Sequence, residues 1–162
     1  MLNVARFRVP VLPIRIMEIE QMVKASAIMK TDVITVTKGE DICDAIRIMV
    51  LNNVTGLPVV NEDGTVAGII TEKDVLKLLY SGTDKPGTVE EFMTTNVVCF
   101  EHDATLADIA DCLMMNRIRR VPILRQGRLV GIISRKDIIK YIGDLKRGAK
   151  APEKDDVVEI VY

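Results

Sequence analysis

Tryptophan is absent, and 162 residues carry only three Phe and three Tyr. The core must therefore be built from Ile, Val, Leu and Met, and stacking platforms for single-stranded nucleic acid are scarce. There is no excess of either charge: 22 Lys and Arg face 23 Asp and Glu, without the basic surplus of a nucleic-acid binder. Cys43, Cys99 and Cys112 are odd in number and form no CxxC, which argues against a disulfide framework or a zinc site. They read as reduced, mostly buried thiols of a cytoplasmic protein. Histidine is nearly missing too. His102 stands alone in the polar stretch Glu101-His102-Asp103 and reads as part of a surface loop. No phosphate-binding loop, dinucleotide fingerprint or metal-ligand cluster is visible, so no enzyme is expected. No apolar run approaches the ~20 residues of a membrane span. The segment 1–16 reads as an N-terminal arm, because Pro10 and Pro13 interrupt any helix and no cleavage site follows an apolar core.

What is present is a repeat. Residues 29–79 align with 93–142, at an offset of 64 up to Pro58/Pro122 and of 63 from Gly64/Gly127 onward. The residue lost falls in a turn, where Asn61-Glu62-Asp63-Gly64 faces Arg125-Gln126-Gly127. Thirteen positions are identical, among them Met29/Met93, Pro58/Pro122, Gly68/Gly131, Lys73/Lys136 and Asp74/Asp137. Chance does not easily give that density together with matched periodicity.

Each copy reads as β-α-β-β-α. A short extended segment (33–36, 97–100) precedes a helix (41–52, 104–116). The helical stripes Ile42, Ala45, Ile46, Met49, Val50 and Leu106, Ile109, Ala110, Leu113, Met114 follow the i, i+3, i+4, i+7, i+8 pattern. Two strands around a glycine turn follow (57–60 with 66–71, 121–124 with 129–134), then a second helix (72–80, 135–145). This places repeat 1 at 17–81, a linker at 82–88, repeat 2 at 89–145 and a charged tail at 146–162, whose last six residues, Val157 to Tyr162, read as a strand. Ile48 and Leu51 in the first copy, and Cys112 and Met115 in the second, are apolar off the stripe. They fit a second buried side, either within the chain or in a homodimer.

The doubled unit resembles the cystathionine-β-synthase-type (CBS) repeat. The resemblance rests on Gly68-Ile69-Ile70-Thr71-Glu72-Lys73-Asp74 and Gly131-Ile132-Ile133-Ser134-Arg135-Lys136-Asp137. Leu57-Pro58-Val59 and Val121-Pro122-Ile123 fit as well, as do Ile28-Met29 and Phe92-Met93 ahead of the first strands. It implies an α/β fold of two repeats packed pseudo-symmetrically, sheet to sheet, around two clefts. Such clefts take AMP, ADP, ATP or S-adenosylmethionine, and such pairs regulate an attached or partner protein, often as homodimers. No cofactor is required; the nucleotide is a regulatory ligand.

By the same resemblance, Asp74 and Asp137 hold ribose hydroxyls, for which a carboxylate accepting twice is well suited. Thr71 and Ser134 open a helix, where hydroxyls and N–H groups meet phosphate. Thr71-x-x-Asp74 and Ser134-x-x-Asp137 are equally good capping boxes, which close a helix start without any ligand. Adenine would be read by Thr35, Val36, Leu57 and Pro58, and by Cys99, Phe100, Val121 and Pro122; each fits a plain core position as well. Arg117, Arg119 and Arg120 replace Asn53, Thr55 and Gly56 of the first copy. They suit phosphate oxygens or a solvated basic face. A structural dimerisation module and a single-stranded nucleic-acid binder are the rival readings.

Overall fold

The computed structural model describes residues 23–80 and 87–148. The N-terminal arm, most of the linker and the strand expected at the C-terminal end lie outside these residues.

Both principal helices start where a side chain caps them. Helix α2 (Ile42–Leu51) follows Asp41, whose carboxylate accepts from the Cys43 N–H at 2.7 Å. Among the described residues it is the second helix, after the short α1 (Ala25–Ile28). Its counterpart α5 (Leu106–Met115) follows Thr105, which accepts from the Asp108 N–H at 3.1 Å. Each cap satisfies an otherwise orphaned N–H. Ile42, Ala45 and Met49 are buried, as are Leu106, Ile109 and Leu113. The stripe is shorter than its sequence pattern. Val50 and Met114 stand 73% and 70% exposed. At 3.6 residues per turn, each lies about 80° around the helix from the first stripe residue, past the edge of the covered face.

The hairpins carry the deletion. Strand β1 (Gly56–Val60) pairs antiparallel with β2 (Val66–Thr71). In their loop the Gly64 N–H donates to the Asn61 carbonyl, and Gly64 sits at φ 82°, a left-handed position suited to glycine. Strand β4 (Arg120–Arg125) pairs with β5 (Arg128–Ser134) around Gln126 and Gly127, both at positive φ. Two such residues make a turn whose twist matches the strands, so the shorter loop closes the same hairpin. The first strands shrink to a parallel bridge of Val36 to Val59 and to the two-residue β3 (Phe100–Glu101) beside β4. The second helices differ. The first copy has α3 (Glu72–Val75) continued as a 3₁₀ turn, Leu76–Tyr80; the second has α6 (Arg135–Gly148).

Each repeat lends its entry segment to the other. Helix α1 lies against the second repeat: the Ala25 N–H donates to the Ala104 carbonyl and the Leu106 N–H to the Val23 carbonyl, both at 2.8 Å. Lys30 and Ile132 then exchange two backbone bonds of 3.0 Å. Helix α4 (Val89–Phe92) repeats this on the first repeat, with Thr94 and Ile69 exchanging two bonds of 2.9 Å. One core thus joins Val36, Ile42, Leu57, Val59 and Ile70 to Val89. The other joins Leu106, Ile109, Val121, Ile123 and Ile133 to Ala25.

This exchange explains two of the repeated identities, Met29/Met93 and Gly68/Gly131. A Cβ on Gly68 would lie 2.7 Å from Met93 Sδ and 2.9 Å from the Thr94 carbonyl oxygen. One on Gly131 would lie 2.5 Å from Met29 Sδ. The close approach that these glycines permit is that of the other repeat's methionine. Gly68→Ala and Gly131→Ala are expected to cost ~1–2 kcal/mol each, in the lower part of the overpacking range. Thermal melting should fall by roughly 2–8 °C for a chain of this size. Unchanged melting would show that the methionines give way freely.

Candidate functional site

Two equivalent clefts open where the repeats meet. The first, about 650 Å³, is lined by Thr71, Glu72, Lys73 and Asp74 of the first repeat and by Thr94, Asn96, Val97 and Val98 of the second. The second, about 510 Å³, is lined by Ser134, Arg135, Lys136 and Asp137 with Lys30, Asp32, Val33 and Ile34. Each cleft thus faces the signature of one repeat with the entry strand of the other. Arg119, Arg120 and Thr55 line both.

The two aspartates are engaged in nearly the same way. Asp74 Oδ2 accepts from the Thr71 N–H at 3.1 Å and from the Thr71 hydroxyl at 2.6 Å. Asp137 Oδ2 accepts from the Ser134 N–H at 2.8 Å and from its hydroxyl. The capping boxes written in the sequence are therefore formed. The remaining oxygens take cations from different places. Asp74 Oδ1 holds Lys77 Nζ at 2.8 Å on its own helical segment, whereas Asp137 Oδ1 holds Lys30 Nζ at 3.0 Å from the other repeat. Burial works to raise the Asp74 carboxyl, but the Lys77 and Thr71 bonds bring it below the usual carboxylate range. Burial likewise opposes the charge on Asp137, and the Ser134 bonds with Lys30 outweigh it. A carboxylate has about four acceptor sites, of which three are used here, so about one remains for a further hydroxyl.

Arg120 crosses between the repeats. Its guanidinium donates to the Gly56 carbonyl at 3.0 Å and to the Thr55 hydroxyl. Arg135, which also lines the second cleft, donates to the Leu113 carbonyl at 2.6 Å and the Asn116 carbonyl at 3.2 Å at the end of α5. A cation there suits the negative end of a helix.

Of the residues singled out from sequence, Thr71 and Asp74 line the first cleft, and Ser134 and Asp137 the second. Leu57 and Pro58 join the second, and Arg119 and Arg120 both. Thr35, Val36, Cys99, Phe100, Val121 and Pro122 are absent from both linings. Val36 and Val121 are 1% and 0% exposed and belong to the two cores. The entry strands meet the clefts one to two residues earlier, at Val33–Ile34 and Val97–Val98. Sequence reasoning passed over Lys30, Asp32 and Asn96, which no motif marks; Lys73 and Lys136 were visible as an identical pair. His102 is half-buried rather than loop-exposed, its carbonyl accepting from the Ser26 N–H at 3.0 Å, and it lines neither cleft. Cys43 is exposed, not buried; Cys99 and Cys112 are half-buried, and all three are free.

A CBS-domain profile matches residues 25–81 and 89–144. The chain belongs to the CBS-domain family. The CBS domain pair of protein MJ0100, solved in complex with 5′-methylthioadenosine and S-adenosyl-L-methionine, superposes with a TM-score of 0.69. It is 31% identical, over 76% of this chain and 98% of that one. CBSX2, solved in complex with AMP, also gives 0.69, at 26% identity over 76% of this chain and 98% of that one. Among curated relatives, the CBS domain-containing protein YhcV of Bacillus subtilis is 35% identical, over 68% of this chain and 79% of that protein. Others are longer. This CBS-domain chain spans 41% of the uncharacterized protein MJ1225 of Methanocaldococcus jannaschii, at 36% identity over 72% of itself. It spans 24% of that organism's inosine-5′-monophosphate dehydrogenase, at 35% identity over 76% of itself. No helix among the described residues is long and apolar enough to cross a membrane.

Proposed function

We propose that this chain is a regulatory module that binds an adenosine nucleotide, AMP, ADP, ATP or S-adenosylmethionine, in its two inter-repeat clefts and modulates a partner protein without catalysis of its own. The observation that carries this is the composition of the clefts. Each brings a hydroxyl and a carboxylate together with five cationic side chains against two acidic ones. The first holds Lys73, Lys77, Arg117, Arg119 and Arg120 against Glu72 and Asp74. The second holds Lys30, Arg119, Arg120, Arg135 and Lys136 against Asp32 and Asp137. Their volumes lie in the range of small-molecule sites. Such a lining suits an anionic ligand that also offers hydroxyls. The complexes of MJ0100 and CBSX2 support the adenosine class.

Modulation requires different ligand affinity in two conformations. The ion pair of Lys30 with Asp137 links the repeats across the second cleft and gives ligand a contact to rearrange. Val50, Leu51, Met114 and Met115 project from equivalent positions of α2 and α5, at 70–84% exposure. That paired apolar surface fits a cytoplasmic homodimer. The structural dimerisation reading has one observation in its favour, the completed capping boxes.

Thermal melting against AMP, ADP, ATP, GTP and S-adenosylmethionine tests the proposal. Ligand at a hundredfold over its dissociation constant adds ~2.7 kcal/mol. The melting temperature should rise by roughly 5–11 °C, for adenosine compounds only. No shift with any of them would leave the dimerisation module as the reading.

A further inference from the structure

We infer that Arg120 is a single phosphate-recognition residue shared by the two clefts, so that a phosphate-bearing ligand in one weakens binding of phosphate in the other. This rests on the nucleotide reading above and adds a rule to it. Arg120 lines both clefts. It occupies the position equivalent to Gly56, and its guanidinium bonds to Gly56 itself and to Thr55. Equivalent positions of the two repeats meet only near the pseudo-two-fold axis. Gly56 brings no side chain there, so one guanidinium serves a site that occurs twice.

Its electrostatic setting favours recruitment. Arg120 is half-buried, and among the described residues no carboxylate pairs with it. Its hydrogen-bond partners are a carbonyl and a hydroxyl, both neutral. The acidic groups that act on it from a distance are Glu72, in the first cleft, and Asp137, in the second. A partly desolvated guanidinium with five donors and two neutral partners keeps donors for phosphate oxygens. Held from one side, it is lost to the other. Arg119 also lines both clefts but is exposed, so its removal should weaken both without removing the competition.

Asn96 and Asp32 are exposed, occupy equivalent positions and line one cleft each. Asn96→Trp therefore blocks the first cleft, and Asp32→Trp the second. AMP and adenosine are titrated calorimetrically into the wild type and both variants, with and without Arg120→Gln. Blocking the tighter cleft should raise AMP affinity at the other by about 5- to 20-fold over the weaker wild-type step, within the usual range of site coupling. Adenosine should change less than about twofold, and Arg120→Gln should abolish the gain for AMP. If the wild type takes one equivalent of AMP, binding at the second cleft once the first is blocked supports the coupling, and its absence overturns it. Equal affinity in blocked and wild-type protein overturns it, as does a gain that adenosine shares or that survives Arg120→Gln. Should a tryptophan variant not fold, the ratio of the two stepwise AMP constants relative to that for adenosine decides; Arg120→Gln should bring it to one. Absence of AMP and adenosine binding in the wild type is a different result and sinks the nucleotide reading itself.

Discussion

Ala25→Asp is expected to cost ~3–5 kcal/mol, and the repeat it damages is the second, not the one whose sequence it belongs to. Ala25 is 0% exposed, inside the core formed by Leu106, Ile109, Leu113, Val121, Ile123 and Ile133. A carboxylate there meets aliphatic carbon on every side, with no cation to compensate it, and a buried unpaired charge is among the few changes that cost this much. Val89 is its equivalent, also 0% exposed, in the core of Val36, Ile42, Leu57, Val59 and Ile70. Val89→Asp should therefore strike the first repeat. Melting should drop by roughly 6–20 °C in both variants. Hydrogen exchange separates them. Amides of β4, β5 and α5 should lose protection first in Ala25→Asp, and those of β1, β2 and α2 in Val89→Asp. Loss confined to the repeat that carries the substitution would contradict the exchange of entry segments.

That exchange marks the limit of what could be read from the sequence. Periodicity and turn chemistry are local, so α2, α5 and the two hairpins stand within a residue or two of their expected bounds. The deletion at Arg125-Gln126-Gly127 was legible for the same reason. The partners of Met29 and Met93 were not. Nothing local says that a methionine ahead of one repeat packs on a glycine of the other. The short helices α1 and α4 were missed because four residues show no period, although Thr88-x-x-Glu91 writes a capping box that the structure forms. The clefts inherit this limit. Asp74 and Asp137 carry a repeated motif and were found. Lys30, Asp32, Asn96 and Val98 reach the clefts only because the entry segments cross, whereas Thr35, Val36, Cys99 and Phe100, expected there from the sequence, lie just beyond them.

Removing a cleft aspartate should act on stability and on ligand together. Asp137→Ala leaves the Ser134 N–H and hydroxyl without their acceptor and Lys30 without its carboxylate. Loss of a cap costs ~0.5–2 kcal/mol. The ion pair adds less than its geometry suggests, because the Lys30 side chain is 64% exposed and screened by solvent. The sum expected near neutral pH is about 0.5–3 kcal/mol, or roughly 1–12 °C in melting. Asp74→Ala should cost a similar amount, with the difference that its lysine belongs to its own segment, so the contact between repeats is spared. The pH dependence has a definite sign. Both carboxyls sit below the ordinary carboxylate range in the folded chain, so the unfolded chain binds the protons more readily. The stability they contribute is complete above the unfolded value, about 3.9, and is lost as pH falls through the folded values. Melting should therefore decline below about pH 4, and less steeply in Asp137→Asn than in wild type. Ligand separates capping from binding. If the aspartates only cap, Asp74→Asn and Asp137→Asn melt lower, yet show the same rise with saturating AMP as wild type. If they also hold ribose, each variant loses the part of that rise that comes from its own cleft.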